Sequence, residues 1–296
     1  MKERIQGFLH FLEAEKGYAE NTIAAYQNDL NQFYQHILTN EDKLESWAEV
    51  KKDIIVNYIE RLKTGEEYAS STVARKVAAI KSFFHFLVAE GDLQGDPTIT
   101  LEPPKVKKRL PKAISPVEIE RLLQAPSGQS GPKAQRDLAL LEILYASGVR
   151  VTELVSLNVA DLDLTDQIGK VRVKGKRSNA REREIPIDGK ALKVLKQYID
   201  QGREQLLQDP KVQALFLNNR GQRLTRQGLW LIIKHYVDEV GISTEVTPHT
   251  LRHSFAAHKL SQGKSLQDIQ RLLGHANIST TQVYTHLSPE GEKTTN

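Results

Sequence analysis

The sequence contains no cysteine, which excludes disulfides, thiolate metal sites and cysteine nucleophiles. It has no apolar run long enough to cross a bilayer. Met1-Lys2-Glu3-Arg4 leads straight into an amphipathic pattern too charged for a signal peptide. It shows no internal repeat and no low-complexity segment. These absences lead us to expect a soluble, cytoplasmic protein.

What is present suggests two domains, since 296 residues exceed one average domain and 39% apolar residues suffice for packed cores. The formal charge of +4 is shared by many enzymes, so its distribution is more informative than its sum. Lys105, Lys107, Lys108, Arg109 and Lys112 form one cluster. Lys170, Arg172, Lys174, Lys176, Arg177, Arg181 and Arg183 form another. Such clusters are either ordinary solvated surface or a track for phosphates.

Apolar residues recur at helical spacing four times in the first hundred positions. The stripes are Phe8, Phe11, Leu12; Ile23, Tyr26, Leu30, Phe33, Ile37; Ile54, Ile55, Tyr58, Ile59, Leu62; and Val73, Val77, Ile80, Phe84, Leu87. Ser70, Ser71 or Thr72 is the expected start of the fourth helix, and Gly91 its stop. Four such helices predict a small bundle over 1–102. The fourth also carries Arg75, Lys76 and Lys81, either a solvated face or one turned to nucleic acid. Asp96-Pro97, Pro103-Pro104 and Pro111 predict an extended basic linker over 103–112.

The second domain, 113–296, opens on Ser115-Pro116-Val117-Glu118, a capping box with proline at the first helical position. A helix through Leu138, Leu141, Ile143 and Leu144 should end at Gly148. Val171, Val173 and Ile185, Ile187 predict two strands around a basic loop, with Leu215-Phe216-Leu217 a candidate third. A further helix carries Leu192, Leu195 and Ile199. Thr225, Thr247, Ser265 and Ser279 read as N-caps. The expected class is mostly α in two domains: a four-helix bundle, then an α+β domain with a small antiparallel sheet.

Four segments carry candidate chemistry: Ala146-Ser147-Gly148-Val149-Arg150-Val151-Thr152-Glu153-Leu154; Val173-Lys174-Gly175-Lys176; Pro248-His249-Thr250-Leu251-Arg252-His253; and Leu273-Gly274-His275 with Thr280-Thr281-Gln282-Val283-Tyr284-Thr285-His286. Guanidinium forks can clamp two phosphate oxygens and never lose their charge. Imidazole donates to phosphate or moves a proton near neutrality. A lysine set among cations becomes a better acid. A phenol, with an ordinary pKa of about 10, needs cations nearby to act as a nucleophile. Taken singly, each has a bland alternative: a surface arginine, a satisfied loop histidine, a solvated lysine, a packed helix tyrosine. His249 and His253 have the spacing of a helical zinc pair, but the run His-Thr-Leu-Arg-His lacks the metalloprotease glutamate and places an arginine there instead.

In order and together, the segments resemble the tyrosine recombinase family of phage integrases, and its Xer-type (XerC/XerD-like) members in particular. The resemblance covers nearly the whole chain and includes the Arg109-Leu110-Pro111 linker. It implies a SAM-like core-binding bundle followed by a catalytic domain. It implies that Arg150 and Arg252 clamp the scissile phosphate, and that His249 assists proton transfer at the tyrosine while His275 supports the phosphate. Lys174 would protonate the leaving 5′ oxygen, and Tyr284 would be the nucleophile, forming a 3′-phosphotyrosine. Glu153 fits the pattern as a carboxylate holding the cations in place. Arg75, Lys76, Lys81, Lys107, Lys108, Arg109, Lys176 and Arg177 are the expected DNA contacts.

No metal, ATP or other cofactor is implied. The implied partners are double-stranded DNA carrying a specific site, and three further protomers on paired sites, either identical or paralogous. A DNA translocase is a further implied activator. The implied role is chromosome dimer resolution at cell division. An integrase of a mobile element would use the same residues, and a type IB topoisomerase the same chemistry. Only Thr285 to Asn296 follow the candidate nucleophile, with Leu287 their one large apolar side chain. That departs from Xer-type tails and leads us to expect weak coupling between subunits.

Overall fold

Four helices form the first unit because each carries one apolar face at three- and four-residue spacing. They are α1 (Lys2–Ala14), α2 (Glu20–Asn40), α3 (Lys52–Thr64) and α4 (Ser70–Ala89). Ile5, Phe8 and Leu12 of α1 meet Leu30, Phe33 and Ile37 of α2, with Ile55, Tyr58 and Ile59 of α3 and Val77, Ile80, Phe83 and Phe84 of α4 in the same core. Trp47, in a short turn between α2 and α3, sits edge-on to Phe83 at 4.8 Å and donates from Nε1 to the Met1 carbonyl at 2.9 Å. The computed structural model describes all residues except 41–43, 66–67, 103, 105–112, 165–167, 174–181, 188 and 275–296. The chain divides into two units, Met1–Arg109 and Leu110–Asn296.

Helix α4 starts at Ser70, within the expected Ser-Ser-Thr run, and Ala69 at its N-cap makes no side-chain cap bond. One expectation for this helix changes. Lys76 does not face outward: it is 1% exposed. Its ammonium donates to Asp29 Oδ1 at 3.1 Å and to Gln32, and lies 4.9 Å from the centre of the Tyr68 ring. Asp29 explains this placement, being a fully buried carboxylate in α2 that must be paired. Arg75 also bonds Asp29 but remains 40% exposed. Lys81 donates to the Leu101 carbonyl at 2.8 Å, pinning the chain beyond α4.

In the second unit Ser115 caps α5 (Pro116–Gln124), accepting from Glu118 N while Glu118 accepts from Ser115 N at 3.1 Å. Next come α6 (Pro132–Ser147) and α7 (Val151–Ser156). Helix α6 is the centre of the core, with Ala139, Leu140, Leu141, Ile143 and Leu144 wholly buried. A three-stranded antiparallel sheet follows in the order β1 (Leu162–Asp163), β2 (Gly169–Val173), β3 (Arg183–Ile187). Val171 pairs with Ile185 and Val173 with Arg183, so Val171, Val173, Ile185 and Ile187 all face the core.

The third strand is thus Leu162–Asp163, not Leu215-Phe216-Leu217. The latter run is buried, yet only isolated bridges flank or end it, at Asn158–Ala214 and Leu217–Arg223. Tyr198 takes part of its backbone bonding: the phenol donates to Leu215 O at 3.1 Å and accepts from Leu217 N at 3.2 Å. Burial pushes that phenol up to about 12, which keeps it a donor. Helix α8 (Gly189–Gln197) continues through a wide turn, Tyr198–Arg203, into α9 (Glu204–Leu206). Then come α10 (Arg226–Glu239), capped by Thr225, α11 (Pro248–Ser261), capped by Thr247, and α12 (Leu266–Leu273), capped by Ser265. Ser279 lies outside the described residues. Among those described, no helix is long and apolar enough to cross a membrane.

Candidate active site

Two glycine turns set the geometry. Gly148 ends α6 at φ 57°, in the left-handed region that glycine enters without penalty. Space demands glycine there as well, because a Cβ would lie 2.6 and 2.8 Å from ring carbons of Phe255. The turn delivers Val149 into the core and makes Arg150 the N-cap of α7. Gly274 ends α12 at φ 62°, and a Cβ on it would lie 2.9 Å from the Arg183 guanidinium carbon.

Three arginines converge on these turns. Arg252, on the buried face of α11, donates to the Gly148 carbonyl and, at 2.6 Å, to the Leu273 carbonyl. Both acceptors are at helix C-termini, whose partial negative charge suits a cation. Arg150 donates at 2.9 Å to the Gly274 carbonyl and at 3.0 Å to Glu153 Oε1. Its own amide is held by Glu153 Oε2 at 2.8 Å. Arg183, from β3, grips both Glu153 oxygens, at 2.9 and 2.8 Å, and reaches the Leu272 carbonyl at 3.4 Å.

Glu153 therefore answers two guanidinium groups with one carboxylate. Burial raises its pKa, but hydrogen bonds from Arg183 and the Arg150 amide, with the charges of both arginines, outweigh that and leave it lowered. It is ionised at neutral pH. Two guanidinium groups on this one carboxylate keep a positive excess next to Arg150, whose side chain is 43% exposed. Such an excess can bind an anion, and a phosphodiester fits the forked donors.

The structure thus brings Arg150 and Arg252 together, about Gly148 and the end of α12. His249 is exposed in the first turn of α11, one turn before Arg252. His253 is 1% exposed and belongs to the interior. Lys174, His275 and Tyr284 lie outside the described residues, as do Lys107, Lys108, Arg109, Lys176 and Arg177. The described residues just before Lys174 and His275 both adjoin Arg183: Val173 pairs with it in the sheet, and Gly274 packs on its guanidinium. Arg183 was no more than one member of a basic cluster in the sequence. Its signal was the alternation of β3, where positions 183, 185 and 187 share a face and two of them are isoleucine. A charge on the apolar face of a strand calls for a buried partner.

Comparison with known proteins matches residues 112–290 to the phage integrase family and residues 5–91 to the phage integrase N-terminal SAM-like domain. The chain is 48% identical to tyrosine recombinase XerC of Herpetosiphon aurantiacus, over 97% of this chain and 92% of that one. It is 45% identical to tyrosine recombinase XerD of Listeria innocua, over 97% and 95% of the two chains. Its fold is similar to that of the XerH site-specific recombinase bound to its palindromic difH substrate after cleavage. The TM-score is 0.75 at 20% identity, covering 98% of this chain and 93% of that one.

Proposed function

From the premise that this chain belongs to the phage integrase family, among its Xer-type tyrosine recombinases, we propose that it cuts and rejoins duplex DNA at a specific site. The observation that carries the proposal is the meeting of Arg150 and Arg252 at two glycine turns, beside one carboxylate shared by two guanidinium groups.

In this reading the Tyr284 oxygen attacks the scissile phosphorus while His249 takes up the phenolic proton. Arg150 and Arg252 stabilise the two nonbridging oxygens as charge builds on them, and His275 supports the same phosphate. The bond to the 5′ oxygen breaks, and Lys174 gives that oxygen a proton. The product is a 3′-phosphotyrosine and a free 5′ hydroxyl. The phosphodiester energy is conserved in the tyrosine ester, so rejoining by a partner strand's 5′ hydroxyl needs neither ATP nor a metal.

Lys107, Lys108, Arg109, Lys176 and Arg177 would contact phosphates along the duplex. Four protomers, identical or with a paralogue, would exchange strands between two sites, and a DNA translocase would activate them. The role is chromosome dimer resolution in the cytoplasm. The likeness at 48% and 45% identity to XerC and XerD favours this role over mobile-element integration.

The test begins with the duplex that the protein protects from nuclease digestion. A nicked version of that duplex should trap wild type as a covalent adduct on a denaturing gel. Tyr284→Phe should bind the duplex normally and form none. An adduct with Tyr284→Phe would mean that another residue attacks. Lys174→Ala should cleave slowly, and a bridging sulfur at the leaving 5′ position should restore the rate, since a thiolate leaves unprotonated. Sulfur rescue of Lys176→Ala instead would shift the acid to Lys176.

A further inference from the structure

We infer that Arg183 is a positioning residue of the cleavage reaction: by gripping Glu153 it sets Arg150 and leaves Arg150's charge available to the phosphate. The inference rests on the reaction proposed above. Arg183 touches neither substrate nor reacting atoms in that scheme and acts through Glu153.

Arg183 takes both oxygens of Glu153 in one forked pair, and its side chain is only 17% exposed. Glu153 then has a single side-chain bond to Arg150, at 3.0 Å. The other terminal nitrogen of Arg150 goes to the Gly274 carbonyl at 2.9 Å. Without Arg183, one buried carboxylate would face Arg150 alone. The pair would be neutral overall, and the carboxylate would be free to take the bidentate grip that Arg183 now occupies. With Arg183 present, two cations share one anion and a net positive charge remains.

The same side chain joins three segments. It belongs to β3, opposite Val173 at the end of β2. It bonds the Leu272 carbonyl and packs on Gly274 at the end of α12, and Glu153 lies in α7. Several links alone do not set it apart, since Arg136 and Arg223 also bond more than one segment; the carboxylate does. Arg183 holds the only carboxylate bonded to Arg150 among the described residues.

The test measures adduct formation by excess protein on the nicked, nuclease-protected duplex, in a single turnover. Supporting groups around reactive sites typically contribute 10–100-fold, so Arg183→Met should slow cleavage by about that factor while duplex binding changes less than about twofold. Arg183→Lys should recover little, because an ammonium cannot bridge both carboxylate oxygens as a fork. A neutral methylphosphonate at the scissile position needs less cationic help. On it the gap between wild type and Arg183→Met should close to within about threefold.

Loosened packing alone would leave that gap unchanged, and this outcome would overturn the inference. Full activity in Arg183→Met or Arg183→Lys would overturn it too. The double variant Arg183→Met/Glu153→Gln removes the cation and the anion together and guards against misfolding of the single variant. It should cleave no slower than the slower single, and additive losses would count against coupling. If wild type forms no Tyr284-dependent adduct on its protected duplex, the proposed reaction itself fails. An adduct at full speed in Arg183→Met refutes only the role of Arg183.

Discussion

Two clusters among the described residues set a pair of cations on one buried carboxylate, and they are built differently. In the helical unit, Asp29 and Lys76 are buried as a pair, with Gln32 and the Tyr68 ring around the ammonium. Its one partly exposed cation, Arg75, also bonds Asp29. In the second unit, Arg150 and Arg183 share one carboxylate, and Arg252 is held by helix-terminal carbonyls. Burial of charge in the first cluster is a packing solution. In the second the cations come from α7, β3 and α11 and meet at two glycine turns, beside an exposed arginine. The contrast shows that burial of a charge is no guide to function by itself. Both clusters set two cations on one carboxylate, so the useful measure is which segments those cations bring together.

The contrast breaks hardest at Asp29. Asp29→Ala strands the ammonium of Lys76 in an apolar bundle, which should cost about 3–5 kcal/mol. Urea unfolding followed by Trp47 emission in a Trp230→Phe background would show it. Asp29→Leu/Lys76→Met should recover most of the loss, because apolar replacement of both partners is close to neutral. If the double variant is as unstable as the single, the pair contributes more than compensation of its own burial.

Arg150→Ala should have the opposite character. Loss of one oriented donor at a developing oxyanion costs about 10²–10³-fold in rate, or roughly 3–4 kcal/mol. Its effect on unfolding should stay within about 1 kcal/mol, because Arg150 is partly exposed and Arg183 keeps both Glu153 oxygens paired. Adduct formation in a single turnover and a urea melt on the same preparation would separate the two. A large fall in stability with normal cleavage would make the second cluster structural like the first.

Much of the fold was legible because its signals were local. The capping box at Ser115, the stop at Gly148, the hairpin valines and isoleucines and the four apolar stripes each occupy a few neighbouring positions. The misread features depend on partners far along the chain. Lys76 sits inside because of Asp29, 47 positions earlier, and nothing in its own helix announces that. Leu215-Phe216-Leu217 looks like a strand until Tyr198 is seen to take part of its backbone bonding. At the site, Arg150 and Arg252 were legible from their motifs. Their common acceptors were not, since Gly148 and Leu273 are separated from Arg252 by 104 and 21 positions. Arg183 was hidden among other basic residues, and only the strand alternation marks it.

Acid should sharpen the comparison by acting on Glu153. Its folded pKa is lowered, so its contribution to stability is present above the unfolded value and lost as pH falls through the folded one. The window therefore lies on the acid side of the ordinary value of 4.5. At neutral pH Glu153→Gln should destabilise the second unit by about 1.5–3 kcal/mol, as expected for hydrogen bonds to a charged group. The difference from wild type should shrink as the pH is lowered below that window. Urea midpoints from Trp230 emission, in a Trp47→Phe background, would follow it. A difference that stays constant across the acid range would mean that the carboxylate charge is not what holds Arg150 and Arg183.

The smallest expected effect divides the helical cluster itself. Arg75 and Lys76 are adjacent and bond the same carboxylate, yet one side chain is 40% exposed and the other 2%. Only Arg75 has surface left with which to meet a phosphate. Arg75→Ala should therefore lower duplex affinity about uniformly across sequences, and reduce the slope of log affinity against log salt by about 1. Lys76→Met should leave that slope unchanged and lower the Trp47-reported stability instead, since it leaves Asp29 with one partner at the surface. Filter-binding titrations at several salt concentrations would measure both slopes. Equal slopes for wild type and Arg75→Ala would assign Arg75 to the packing role of Lys76. A reduced slope for Lys76→Met would mean that the bundle opens when it meets DNA, and that Lys76 is buried only in the free protein.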